Sequence, residues 1–233
     1  MKISYNSFIT RNVGHGKFAF QLRVKRAERI KALITDCYNE YKKVNIIDVG
    51  GTKNYWDIIP KEVLIANNVH ITIVNLPSGN SLPENDAIFT FREGDGCNLS
   101  EFEDNSFQIA HSNSVIEHVG DWNNVVNFSK EMKRVAKRYY LQTPNYWFPI
   151  EPHFLVPFIH WLPKPVRIWL VLHFNMGFIK KATSCNEAKE TLEHLSLLSG
   201  KQLRGLFPDG TLYREKLVFF TKSLVVIRDN KRV

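Results

Sequence analysis

Val44-Asn45-Ile46-Ile47-Asp48-Val49-Gly50-Gly51-Thr52 is an apolar run that stops at a carboxylate and then at two glycines. A run of strand length with this composition reads as a strand buried in a parallel sheet, and the glycines let the backbone turn tightly beside a ligand. Open α/β sheets bind ligands at such carboxyl ends. Asp48 narrows the choice of ligand. A dinucleotide turn uses G-x-G-x-x-G, because a pyrophosphate needs free N–H groups and the positive end of a helix. Here Gly50-Gly51-Thr52-Lys53-Asn54 lacks the third glycine, and an acid before the turn suits a ligand carrying an amine or a sulfonium.

The next landmarks have the spacing of a βαβ unit. Val69–Leu76 is a second β-rich run whose last polar residue, Asn75, lies where a side chain usually meets ribose hydroxyls. Asp or Glu is commoner there, but an amide both donates to and accepts from a diol. Gly94-Asp95-Gly96-Cys97-Asn98-Leu99 is a polar turn whose Asp95 is placed to accept from an exocyclic amine. Ser106–Ser114 reads as a strand ending in small polar residues, and Arg138–Thr143 as another that stops at Pro144. Taken singly, Asp48 reads equally well as a cap, Asp95-Gly96 as a plain turn and Asn75 as a loop starter. Those readings leave unexplained why polar residues recur at the carboxyl ends of successive apolar strands.

With these motifs in order, the chain resembles the class I S-adenosylmethionine-dependent methyltransferases, in particular the bacterial type 11 branch. IIDVGGT matches the first loop, GDGCNL the adenine loop, and DNSFQIAHSNSVIEHVGDW the fourth strand and the helix after it; LYREKLVFFTKSLVVIRD resembles the last two antiparallel strands. The resemblance implies an α/β Rossmann-like fold: a seven-stranded, mostly parallel sheet of order 3-2-1-4-5-7-6, helices on both faces and a lid insertion after strand 5. It also implies S-adenosylmethionine as cofactor and S-adenosylhomocysteine as product. Asp48, Gly50 and Gly51 would line the methionine end, with Asp48 near the amino group, Asn75 would take the ribose, Asp95, Gly96 and Cys97 the adenine, and Ser112 and Asn113 the backbone opposite the sulfonium; Thr52 and Leu76 would also bind the cofactor. The missing third glycine and Asn75 in place of an acid are departures from the family pattern.

One domain is expected in 233 residues with 44% hydrophobic content. Its parts are a helical cap over 1–43, a cofactor-binding core over 44–144, a lid or acceptor-binding insertion over 145–201 and the final strands over 202–233. Cys37, Cys97 and Cys185 are odd in number and far apart, which implies no disulfide framework or CxxC metal site. Met1–Thr10 lacks a secretory layout. The expected location is the cytoplasm, with peripheral contact at the inner face of the membrane. The net charge of +8 is spread over Arg11–Lys31, Lys130–Arg138 and the tail. A basic helix near Phe18–Leu33 reads as a solvated face rather than a nucleic-acid or lipid contact, and nucleic acid is not favoured as a partner.

Residues 143–178 are dense in Pro and aromatics, and a helix is expected over Asn186–Leu198. A passage this long between strands is more often functional than idle. Lys164, Arg167 and the prolines interrupt any span of about twenty apolar residues. His153 beside Glu151 is the first choice of general base and His118 the second, since a neutral imidazole accepts a proton near pH 7 and a carboxylate orients the ring. His111, His160 and His173 read as packing or pocket-lining residues. The histidine spacing matches no tight ligand set, and no catalytic metal is expected. The leading function is O-methylation of a small-molecule, sugar or glycolipid hydroxyl in surface polysaccharide or related biosynthesis, with an acceptor free or lipid-linked. The alternatives are an RNA or protein methyltransferase, which the basic charge favours and the apolar insertion disfavours, and a non-catalytic cofactor-binding protein.

Overall fold

The computed structural model describes residues 17–79, 81–193 and 195–229, with side chains from Ala27 onward. The expectations for Met1–Thr10, for the basic side chains up to Arg26 and for the final four residues lie outside the described residues. The strands are β1 (Val44–Val49), β2 (Val69–Asn75), β3 (Phe89–Glu93), β4 (Phe107–Asn113), β5 (Ala136–Pro144), β6 (Thr211–Leu217) and β7 (Phe220–Arg228). They form one seven-stranded sheet in the order β3-β2-β1-β4-β5-β7-β6. β1 pairs in parallel with β2 and β4, β2 pairs in parallel with β3, and β6 and β7 are antiparallel. The helices are α1 (Lys17–Tyr41), α2 (Lys61–Ala66), α3 (Trp122–Arg134), α4 (Lys164–His173), α5 (Cys185–Glu193) and α6 (Gly200–Leu206). This is the mostly parallel Rossmann-like sheet, with helices around it, that the motifs imply.

The chain forms two compact units. The first takes the described residues up to Ser112 together with Glu131–Tyr140, and the second takes Asn113–Lys130 and Leu141–Arg228. In the first, Ile46, Ile47, Ile71, Ile73 and Ile109 of the parallel strands are buried. Ala27, Ile30, Ile34 and Cys37 of α1 are also buried and recur every three or four residues, the spacing of one helix face. That stripe runs past the expected end at Leu33. Near the end of the helix, the buried Arg138 guanidinium binds Glu40 and donates to Cys37 Sγ at 3.3 Å.

The turn after β1 sets the shape of the unit. Gly50 has φ of +76°, which L side chains rarely adopt, and its N–H donates to Val74 O at 2.8 Å. A Cβ on Gly51 would lie 1.8 Å from Asp48 Oδ2, so the second glycine leaves room for the Asp48 carboxylate. A 3-10 helix, Lys53–Ile58, follows in place of an α-helix and buries Trp56.

The second unit contains the whole segment 145–201 expected as an insertion. Phe154, Ile159, Val171, Met176, Ala188 and Leu192 form a buried cluster of their own. Gly177, at φ +53°, lets the chain pass so close to Phe154 that a Cβ would sit 2.5 Å from its carbonyl. The helix expected over Asn186–Leu198 ends at Glu193. Leu195 and Leu198 keep the apolar spacing but lie outside it. A new helix then starts from Ser199, whose side chain accepts from Gln202 N–H in a capping box.

Replacing Gly51 by Ala should cost about 1–3 kcal/mol, because the added methyl has no room beside a buried carboxylate. Urea unfolding should show a lower midpoint with an unchanged m value; an unshifted midpoint would mean that Asp48 can move aside freely.

Candidate functional site

Asp48 is fully buried. A buried carboxylate needs hydrogen bonds to replace its water. Its Oδ2 accepts from Trp56 Nε1 at 2.8 Å, and its Oδ1 lies 2.6 Å from His111 Nδ1. The parallel register sets Asp48 opposite His111 on β4. His111 Nε2 lies 3.1 Å from Tyr55 Oη, and the ring stacks on Tyr140 at 5.4 Å. Any contact of Asp48 with a ligand's amino group has to use a lone pair left over from the bonds to Trp56 and His111. Trp56 carries no signal in the sequence; His111 does, as a polar residue in the middle of a buried strand.

The other expected residues of the first unit gather at the carboxyl ends of its strands. Asn75 Nδ2 donates to Gly51 O at 3.0 Å, tying the end of β2 to the glycine turn. Gly94 N–H donates to Asn75 O at 2.8 Å, which brings the 94–98 turn alongside. Asp95 is exposed, and its Oδ1 accepts from Cys97 N–H at 2.8 Å. Ser112 is buried, its hydroxyl donating to Val49 O at 3.0 Å. Thr52 precedes the 3-10 helix without capping it, and Leu76 is exposed. Asn113 belongs to the second unit.

These residues suit an adenosine-bearing ligand at two atoms. Among the described residues, Asn75 Oδ1 and Asp95 Oδ2 have no hydrogen-bond partner and remain acceptors for hydroxyl and amine donors.

In the second unit, Glu151, His153, His118 and Glu117 form a nearly dry network. Glu151 Oε2 accepts from the N–H groups of His153 and Phe154 at 2.7 and 2.6 Å, and Oε1 lies 2.6 Å from His153 Nδ1. His153 Nε2 faces His118 Nε2 at 3.2 Å, so one ring donates and the other accepts, and a single proton lies between them. His118 Nε2 lies 4.0 Å from Glu117 Oε1. Glu117 is fully buried; Thr143 Oγ1 donates to its Oε2 at 2.9 Å, while Oε1 has no hydrogen-bond partner among the described residues. Burial pushes the His153 imidazolium down, but the hydrogen bond and charge of Glu151, with the charge of Glu117, outweigh it and leave its pKa raised. Burial pushes Glu117 up to about 7. Glu117 was not singled out in the sequence, where it stood only as one letter of IEHVGDW.

Among the described residues, no group of three or more His, Cys, Asp or Glu side chains is arranged to hold a metal ion. No described helix is long and apolar enough to cross a membrane.

Residues 63–139 match the model of a family described as a methyltransferase domain. No curated protein matches the chain. Its fold is similar to that of an O-methyltransferase family protein from Burkholderia thailandensis, at 12% identity and TM-score 0.49 over 90% of this chain and 58% of that one. It is also similar to an S-adenosylmethionine-dependent methyltransferase from Methanosarcina mazei, at 15% identity and TM-score 0.45 over 79% and 91% of the two chains. A third likeness is to an arsenic(III) S-adenosylmethionine methyltransferase from Chlamydomonas reinhardtii, at 16% identity and TM-score 0.48 over 79% and 62%. The chain thus spans 58% and 62% of the first and third structures. Likeness at this level says nothing of activity.

Glu117 gives a pH-dependent stability. Its pKa is raised in the folded protein, so its stabilising contribution is complete below the ordinary carboxylate range and is lost as pH rises through about 7. Gln at this position cannot ionise. Glu117→Gln should therefore gain on the parent between pH 5 and pH 8 by on the order of 2 kcal/mol in urea-unfolding free energy. A difference that does not change with pH would place Glu117 in the ordinary carboxylate range.

Proposed function

We propose that this protein is an S-adenosylmethionine-dependent methyltransferase that methylates a hydroxyl of a small molecule, sugar or glycolipid. One observation carries the reading: the methyltransferase-domain match over residues 63–139 covers β2, β3 and β4, whose carboxyl ends carry Asn75, Asp95 and Ser112. Together with the sheet order, the match supports S-adenosylmethionine as the cofactor. When bound, that group supplies an electrophilic methyl on a sulfonium. On this chain's side, Asn75 takes the ribose hydroxyls through its open Oδ1, and Asp95, with Gly96 and Cys97, takes the adenine amine. Gly50, Gly51 and Thr52 bring backbone close to the methionine end. Asp48 acts mainly by holding that turn, and Ser112 at the end of β4 completes the wall in the first unit.

The hydroxyl has to lose a proton as it attacks. His153 is assigned as the acceptor, because Glu151 fixes its Nδ1 as the donor; its Nε2 becomes the working atom when the substrate hydroxyl replaces His118 as its partner. Glu151 also stabilises the imidazolium that forms. A lipid-linked acceptor and peripheral membrane contact are part of the proposal. They are supported by Trp147, Phe158 and Trp169, large apolar side chains of the second unit that are more than half exposed.

The test is transfer of a labelled methyl group to a panel of free sugars, nucleotide sugars, lipid-linked glycans and small hydroxy compounds. The working form of His153 is neutral, so the rate should fall as pH drops through a value above that of an ordinary histidine. Glu151→Gln removes the main raising influence and should move this acid limb to lower pH. His153→Ala should keep the cofactor Kd and lower kcat by about 100-fold or more. Full activity of His153→Ala on the true acceptor would remove the base assignment, and no transfer to any hydroxyl would remove the O-methyltransferase reading.

A further inference from the structure

A cavity of about 300 Å³ lies wholly within the second unit, at the small end of the range that holds organic ligands. Its wall is about equally polar and apolar: Phe154, Ile159, Leu192 and Leu195 are among the lining residues, and Arg167 and His160 line it too. Neither of these is part of the network around His153. Both carry a buried polar atom with no hydrogen-bond partner among the described residues: Arg167 Nε and His160 Nδ1. Buried polar atoms are nearly always satisfied, so two orphans on one cavity wall call for groups that the chain itself does not supply.

The two orphans specify opposite chemistry. Arg167 is always charged, and its planar fork fits a carboxylate or phosphate through paired N–H donors. No carboxylate among the described residues pairs with it. Glu151 also lines the cavity, but its oxygens are taken by His153 and by the backbone N–H of Phe154. His160 Nε2 lies 2.8 Å from Tyr146 O, and a carbonyl can only accept, so Nε2 carries the hydrogen. In the neutral ring Nδ1 is then a bare lone pair that calls for a donor. Burial, helped by the Arg167 charge, outweighs the raising influence of the Tyr146 and Phe148 carbonyls and of the Glu151 charge and pushes the His160 pKa down, which favours the neutral ring.

We propose that this cavity binds a small organic acid: its carboxylate or phosphate is held by Arg167, its apolar body lies against Phe154, Ile159 and Leu192, and a hydroxyl donates to His160 Nδ1. Binding of the acid is independent of the proposed activity; only its identification as the methyl acceptor rests on that reading, and it would select the small-molecule acceptor over the glycan.

The experiment is calorimetric titration of the full chain with 4-hydroxyphenylacetate, its amide, phenylacetate lacking the hydroxyl, and 4-hydroxyphenyl phosphate. The acid or the phosphate should bind at least about tenfold tighter than the amide, the worth of one charge-assisted hydrogen bond. The tighter of the two anions identifies the headgroup. Arg167→Gln should erase the preference for the anion, with Arg167→Lys in between, and His160→Phe should erase the preference for 4-hydroxyphenylacetate over phenylacetate. Equal binding of acid and amide by the parent protein, or no binding of any member of the panel, overturns the proposal without reliance on a variant. A parallel thermal-shift measurement with S-adenosylhomocysteine separates the two claims: acid binding without any shift would sink the methyltransferase reading alone.

Discussion

The carboxylate of Asp48 is the constraint on which the first unit depends. A carboxyl group this deeply buried needs hydrogen-bond partners in place of its lost water. Trp56 and His111 supply those partners, one from the 3-10 helix after the glycine turn and the other from the neighbouring strand. That placement has three consequences. Gly51 must lack a side chain, the chain after the turn must wind tightly enough to present the Trp56 indole, and the polar midpoint of β4 has a reason to exist. Asn75 then clamps the turn from β2, so that the proposed ribose residue also holds the glycine loop in place.

The second unit also keeps charge in its interior, arranged differently. Glu151 is saturated by backbone N–H groups and an imidazole, whereas Glu117 keeps one oxygen without a partner among the described residues. Held by these donors, Glu151 orients His153. An undersatisfied carboxylate near a histidine pair titrates near neutrality and shifts what its neighbours do. The two acids therefore take separate roles, set by environment rather than residue type. Gly177 matters here as well, since its close passage lets Phe178 N–H reach His153 O at 2.9 Å and pins the backbone of the proposed base.

Much of the first unit was legible in the sequence because its signals are local. The apolar run of β1, the glycines after it and the β-rich run of β2 each declare themselves within a few residues, and the strand order came with the resemblance. What could not be read depends on contacts between distant positions. Nothing near Trp56 says that its indole meets a carboxylate eight residues earlier, across the glycine turn and from a 3-10 helix. β3 was not marked out by its own residues: Phe89–Glu93 is short, and its outer residues are polar. The helical spacing of Leu195 and Leu198 predicts a longer helix than α5, although Ser199 and Gln202 announce a new start. Of the proposed base, the Glu-Pro-His run was visible, but the facing of His118 and His153 was not, since they are far apart in the chain.

The central claim is that the glycine turn built over Asp48, with Asn75 and Asp95 beside it, is a site for S-adenosylmethionine. The most direct measurement is calorimetric titration of the purified protein with S-adenosylmethionine and S-adenosylhomocysteine, set against NAD and NADP. The account predicts micromolar binding of the first pair, weakened about tenfold or more by Asp95→Ala, and none of the second. Absence of binding to the first pair, or tight binding of NAD, would contradict it and leave only the fold standing.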